Sequence, residues 1–290
     1  MASRPFSQVN VFSHHPYGGN PLAVVGSIAN RAEHLSEHLS EDQMQAFAAW
    51  TNLSETTFLG RPTRAEADYA VRIFTPSVEL PFAGHPTLGS AYVWLADGGT
   101  PRQAGVVVQE CAAGLVRIRH TIQGNQCQLA FDAPPLRRYE PLSDADLDLV
   151  TAGLALDRAD VLDASWLVNG PAWVGVRLAT AAHVLAVQPD GSALDGWDVG
   201  VVGPQPPGAD TAVEVRAFVG GKVLVEDPVT GSLQAGLARW LIDTAVLPGT
   251  YVAAQGTALR RQGRVHVEQD GARLWIGGEV SRPIVGTVEL

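Results

Sequence analysis

The feature that most constrains this chain is an internal repeat. Residues 71–91 read VRIFTPSVELPFAGHPTLGSA and residues 215–235 read VRAFVGGKVLVEDPVTGSLQA. Each begins with a strand-like V-R-x-F and ends in a proline, a Gly-Ser pair and an amphipathic stretch of helical period. The separation is nearly constant: 144 positions between Arg72 and Arg216, and 142 both between Pro86 and Pro228 and between Ser90 and Ser232. That spacing is about half of the 290 residues, so the chain reads as two copies of one structural unit.

A weaker echo links the opening of each copy. Asn10-Val11-Phe12 followed by Gly19-Asn20-Pro21-Leu22-Ala23-Val24-Val25 resembles Val168-Asn169-Gly170-Pro171-Ala172-Trp173-Val174, each a strand, a turn and a second strand. The expected division is an N-terminal lobe over residues 1–130 and a C-terminal lobe over 131–290. Ala133-Pro134-Pro135 interrupts the strand pattern at the join, and the last strand is expected to pack back on the first lobe.

Within the lobes, Ser40 and Gln43 form a capping-box start, with Met44, Phe47 and Ala48 on one helical face. Val106–Glu110, Leu115–Thr121 and Gln126–Phe131 read as a meander turning at Gly114 and at Gly124-Asn125. Ser143 caps a helix carrying Leu147, Val150 and Leu154, and Thr180 one carrying His183, Val184 and Val187. Each lobe is therefore expected to be α+β, with strands outnumbering helices.

Charge narrows the partners. Thirty acidic against twenty basic residues leave a net charge of −10, which repels phosphate backbones and anionic headgroups, so neither nucleic acid nor a membrane surface is an expected partner. Met1 to Asn10 lacks a basic region before an apolar run, and no stretch reaches the roughly 18 apolar residues of a spanning helix. A cytoplasmic protein is the expectation. Cys111 and Cys127 fall in the meander rather than in a paired-thiol motif and read as two buried free thiols. His34 and His38, four apart in a segment with two E-H-L-S units, read as a solvated helix face.

The repeated turns are where chemistry is expected. A helix that begins after a Pro-x-x-Gly-Ser turn presents unpaired backbone N–H groups and a partial positive charge, a setting that attracts carboxylates. One such entry is ordinary. Two related by duplication can face a common cleft and bind an acidic small molecule without metal or nucleotide. Gly84, Gly89 and Gly231 permit close backbone approach, while His85 stands before Pro86 and Glu226-Asp227 before Pro228, so that a histidine and an aspartate are read as matching positions.

Four segments now carry a resemblance: GGNPLAVV at 18–25, NLSETTF at 52–58, RIFTPSVELPFAGHPTLGSA at 72–91 and VEDPVTGSL at 225–233. Asn169-Gly170-Pro171, Gln188-Pro189-Asp190 and Gln255-Gly256 add to it. Together they resemble the PhzF-like isomerases of phenazine biosynthesis over nearly the whole chain. The resemblance implies a diaminopimelate epimerase-like fold of two pseudo-symmetric lobes, each a strongly curved, mostly antiparallel sheet around a central helix. It also implies an isomerase of the type that converts trans-2,3-dihydro-3-hydroxyanthranilate, a homodimer, and no cofactor.

Carried over residue by residue, the resemblance makes Glu55 the acid/base, with His85 and Asp227 completing the catalytic set. Gly84, Gly231, Ser232 and Asn20 then hold a small carboxylated substrate, and no residue binds a metal. The loop Phe218-Val219-Gly220-Gly221-Lys222 departs from the family pattern, which leaves the substrate's identity open. Two other readings stay open: an amino-acid racemase or epimerase, and a non-catalytic small-molecule binder of the same fold. The two-thiol chemistry of the fold's racemases would need cysteines in the repeated turns, where there are none.

Overall fold

A computed structural model describes residues 2–26, 39–123, 126–221 and 225–290. His34, His38, the Gly124-Asn125 turn and Lys222 lie outside the described residues. The chain divides into two compact units, Met1–Asp132 with Gly277–Leu290, and Ala133–Ile276.

In the first unit β1 (Ser3–Val11) pairs antiparallel with β2 (Asn20–Val25), and β2 runs parallel to β3 (Glu55–Gly60). Between them α1 (Glu41–Thr51) starts at the expected capping box, Ser40 accepting from the Gln43 N–H and Gln43 from the Ser40 N–H. It buries Met44, Phe47 and Ala48 against Val25, Phe58 and Phe74. β3 pairs antiparallel with β4 (Tyr69–Phe74), which carries the two-residue β5 (Glu79–Leu80) on one part and runs parallel to β6 (Val106–Cys111) on another. β7 (Gly114–Gln123) and β8 (Gln126–Asp132) complete the expected meander.

β17 (Arg273–Glu289) then pairs with both β8 and β1, which closes the strands into a barrel. The apolar helix α2 (Gly84–Ala96) touches β1, β2, β3, β4, β6 and β8, so the sheet curves around it. Ten of its thirteen residues are buried, as a helix enclosed on all sides must be.

The second unit repeats this plan. β9 (Arg138–Pro141), β10 (Val161–Val168) and β11 (Trp173–Leu178) are antiparallel neighbours, β11 runs parallel to β12 (Asp198–Pro204), and β12 is antiparallel to β13 (Val213–Val219). β13 carries the short β14 (Val225–Asp227) and runs parallel to β15 (Thr250–Gln255), which pairs with β16 (Gly263–Asp270). The enclosed helix is α5 (Gly231–Asp243), packed on β10, β11 and β16. Val150 of α3 (Asp144–Gly153) and Val184 of α4 (Ala181–Ala186) join a core with Val174, Val199, Val201 and Phe218. Both helices start at the expected caps, Ser143 and Thr180.

The duplication extends to side chains. Arg72 donates through Nε and Nη2 to both oxygens of Glu79 and lies 5.1 Å over the Phe74 ring. Arg216 does the same with Glu226, 4.8 Å over Phe218. A planar guanidinium in a fork on a carboxylate, stacked on a ring, ties β4 and β13 to their hairpin returns.

The pairing of residues in the two turns differs from that read off the sequence. The spacing is 144 along β4 and β13, whose register partners Gln109 and Ala253 keep it, but 147 from Gly84 to Gly231, where the helices begin. The extra residues fall in the β13–β14 connection. His85 therefore corresponds to Ser232, and Asp227, paired with Ala217, corresponds to Leu80, paired with Ile73. Pro86 lies inside the first turn of α2, where a missing N–H costs no intrahelical bond, whereas Pro228 precedes α5 by three residues. The repeated prolines and Gly-Ser pairs are coincidences of composition, not equivalent positions.

Candidate active site

The S-E-T-T-F segment delivers Glu55 at a strand start. Helix α1 ends on Asn52 in the left-handed conformation, the chain turns, and β3 begins at Glu55 opposite Leu22 of β2. The two threonines that follow are fully buried and anchor it. Thr56 Oγ1 lies 3.0 Å from Thr51 Oγ1, and Thr57 Oγ1 accepts from Ser90 of α2 at 2.9 Å. The Glu55 side chain itself keeps 14% exposure, so it is held but reachable.

His85, the second residue of α2, faces it. Its Nε2 lies 3.2 Å from Glu55 Oε2, off the axis of a linear ring N–H bond, so the contact is an electrostatic one. On the other side of the ring, Nδ1 lies 3.4 Å from Asn20 Nδ2. Burial pulls the imidazole pKa down from 6.5 to about 3, so His85 is neutral and the pair is not a salt bridge between full charges.

The first turn of α2 is fixed from beneath. Gln109 donates to Thr87 Oγ1 at 2.9 Å and accepts from Tyr69 OH at 2.7 Å, all three fully buried. One turn on, a Cβ at Gly89 would sit 2.5 Å from Leu22 Cδ2 and 2.9 Å from Val9 Cγ2, so glycine lets the helix lie directly on β1 and β2. Ala83, the α2 N-cap, makes no side-chain hydrogen bond to the helix end.

The second unit assembles the other sequence-selected residues. Asp227 closes β14, its Oδ2 accepting from Thr230 Oγ1 and its backbone oxygen from Gln255 Nε2. Gln255, fully buried, also accepts from the Thr230 N–H and from Gln234, which secures the start of α5. There Gly231 and Ser232 follow an N-cap, Thr230, with no side-chain bond to the helix. Ser232 Oγ accepts from Trp173 Nε1 at 2.9 Å, and its backbone oxygen from Asn169 Nδ2 at 2.8 Å.

Of the seven residues selected from sequence, His85 touches both Glu55 and Asn20, with Gly84 beside it. Asp227, Gly231 and Ser232 gather at the start of α5. Sequence reading missed the supporting Ser90, Gln109, Gln255 and Trp173, and it missed Asp198, which opens β12 opposite Trp173 as Glu55 opens β3 opposite Leu22. Burial raises the Asp198 carboxyl, the Gly220 N–H opposing. The strand register carries that signal; the residue types around it do not.

Cys111 and Cys127 are free and buried, Cys127 pushed up to about 11 by burial and Cys111 also raised, and both lie on strands, not in the first turn of α2 or α5. Among the described residues, no group of three or more His, Cys, Asp or Glu side chains could hold a metal, and no helix is long and apolar enough to cross a membrane.

Known proteins are similar to this chain over most of its length. "Antisense-enhancing sequence 1" of Schizosaccharomyces pombe is 32% identical over 304 residues, covering 99% of each chain. The trans-2,3-dihydro-3-hydroxyanthranilate isomerase of Pseudomonas aeruginosa is 32% identical over 267 residues, 91% of this chain and 90% of the other. The crystal structure of a phenazine biosynthesis protein of the PhzF family from Enterococcus faecalis superposes with a TM-score of 0.77 at 26% identity, covering all of both chains. With the family model for phenazine biosynthesis-like protein matching residues 9–280, the chain belongs to the PhzF-like family of isomerases.

Proposed function

We propose that the protein is a cofactor-independent isomerase that moves a proton between two carbons of a small carboxylated substrate, with Glu55 as the acid/base. The observation that supports this most is the contact of Glu55 with a neutral imidazole at the start of an enclosed helix. A carboxylate that is held by its strand yet reachable can take a proton from carbon and return it to another carbon on the same face. His85 serves as a neutral polar neighbour that stabilises charge electrostatically as the proton moves. The backbone N–H groups at Gly84 and Gly231 suit a substrate carboxylate, because helix starts favour anions. Asp227 and Ser232 hold the substrate's other polar groups, a role that rests on the motif they share with the family.

Against a two-thiol racemase stand the first turns of α2 and α5, which carry His85 and Ser232 rather than cysteine. The proposed assembly is a cytoplasmic homodimer. Light scattering at micromolar concentration tests the assembly, and a monomeric mass refutes it.

The reaction is tested by incubating the protein in heavy water with cyclic and amino carboxylates and following deuterium at carbon. Exchange with a shifted double bond supports the isomerase, inversion at one carbon supports an epimerase, and saturable binding without exchange marks a binder.

A further inference from the structure

Asn20 lies wholly buried behind His85. It opens β2, paired with Val11, and follows Gly19, whose N–H is held by Asn10 and whose α-carbon has no room for a side chain, since a Cβ would sit 2.0 Å from the Val11 oxygen. Asn10 also donates to the Ser13 and His15 carbonyls, so the turn leading into Asn20 is fixed on both sides. Such a backbone sets the Asn20 amide nitrogen 3.4 Å from Nδ1 of His85.

An amide NH2 can only donate, so the ring nitrogen it faces must offer a lone pair. A neutral imidazole has one ring proton, which then belongs on Nε2, the atom 3.2 Å from Glu55 Oε2. We infer that Asn20 is a positioning residue that holds His85 in the Nε2–H tautomer, so that an N–H rather than a lone pair faces Glu55. An N–H there supports the ionised carboxylate, the form a base needs before it meets substrate. The opposite tautomer would turn a lone pair on Glu55 and favour its protonated form, which cannot start the reaction. The inference rests on the proposed role of Glu55, but its test does not.

The test reads the tautomer directly. In protein labelled with 15N-histidine, long-range proton–nitrogen correlation at neutral pH distinguishes a protonated from a bare ring nitrogen, and His85→Gln identifies the His85 signals by their loss. The expected wild-type result is a protonated Nε2 and a bare Nδ1, favoured by about tenfold for one buried hydrogen bond. Asn20→Asp, which presents an acceptor to Nδ1, should reverse the preference, and Asn20→Leu should abolish it. In the exchange assay Asn20→Asp should lower kcat far more than it raises KM. A wild-type spectrum with the proton on Nδ1, or a tautomer unchanged in both variants, overturns the inference whatever Glu55 does. An unaffected Glu55→Gln enzyme with the expected spectrum would instead remove the catalytic reading and leave the tautomer assignment standing.

Discussion

Glu55 and Asp198 occupy the same place in the two copies. Each opens a strand that runs parallel to the strand before it, and each is the first residue of that ladder, opposite Leu22 and Trp173 respectively. Next to Glu55 the helix offers His85, whereas the equivalent helix position in the second unit is Ser232, engaged by the Trp173 indole. The scaffold has been kept in both copies, and the histidine facing the carboxylate in only one.

That asymmetry predicts unequal losses. Glu55→Gln keeps shape but cannot accept a proton from carbon, so carbon–hydrogen exchange should fall by about 10²–10⁴-fold with ligand affinity little changed. Asp198→Asn retains an acceptor for the Gly220 N–H and should leave exchange within about threefold of wild type, roughly 0.6 kcal/mol. Equal losses from the two substitutions would show that the carboxylates act as a pair.

His85 and Asp198 should also bend the stability curve in opposite directions. The folded pKa of His85 lies below its unfolded value of 6.5, at about 3, so between those values the unfolded chain takes up a proton that the folded one refuses. Wild type therefore loses stability as pH falls, by about 2 kcal/mol at pH 5. His85→Gln should escape that loss. Asp198 is raised in the fold, so its contribution is present below the unfolded carboxylate pKa and is lost as pH rises through the folded one. Asp198→Asn should gain on wild type as pH increases from the acid side. Urea denaturation of the three proteins across pH 4 to 7 checks both signs, and parallel curves would show that neither group is perturbed.

The two arginine forks test how burial sets the worth of one geometry. Arg216 and Glu226 keep 7% and 15% side-chain exposure, against 38% and 28% for Arg72 and Glu79. Glu226→Ala strands a buried guanidinium and should cost about 3 kcal/mol. Glu79→Ala should cost less than about 1 kcal/mol, because Arg72 retains Glu41 at 2.9 Å and water screens the charge. Equal costs in denaturant unfolding would mean that ring stacking rather than charge pairing holds these strands.

How far the sequence reached is visible at particular residues. The capping serines and threonine and the meander were readable because caps and alternation are local patterns with local causes. The α+β fold of two like units followed from the repeat and from the family motifs. The correspondence of His85 with Ser232 was not readable. It depends on the length of the β13–β14 connection, and a shared Pro and Gly-Ser outweigh a loop of three extra residues in any linear comparison. Asp198 was hidden for a related reason, since strand register rather than residue type equates it with Glu55. The contact of Asn20 with His85 was not readable either, because a sequence does not say which side of a histidine a neighbour will occupy.

The last prediction concerns the glycine that lets α2 approach its strands. In an exposed helix, alanine for glycine stabilises by about 1 kcal/mol, and Gly89 stands mid-helix, so propensity alone forecasts a gain. The space forecasts the reverse. An added Cβ would meet Leu22 at 2.5 Å, Val9 at 2.9 Å and Val11 at 3.2 Å, all fully buried and packed, and overpacking of this kind costs about 1–3 kcal/mol. Relief requires α2 to lift from β1 and β2, and His85, one turn earlier on that helix, moves with it away from Asn20 and Glu55. Gly89→Ala should therefore destabilise by about 1 kcal/mol net and depress kcat beyond what the unfolded fraction explains. Gly236 sits at the equivalent position of α5, with Leu167 Cβ 2.9 Å from its added methyl. Gly236→Ala should cost comparable stability while leaving the His85–Glu55 geometry alone. A Gly89→Ala protein that is more stable than wild type and fully active would show that the helix has slack against its sheet, and that His85 is not held by it.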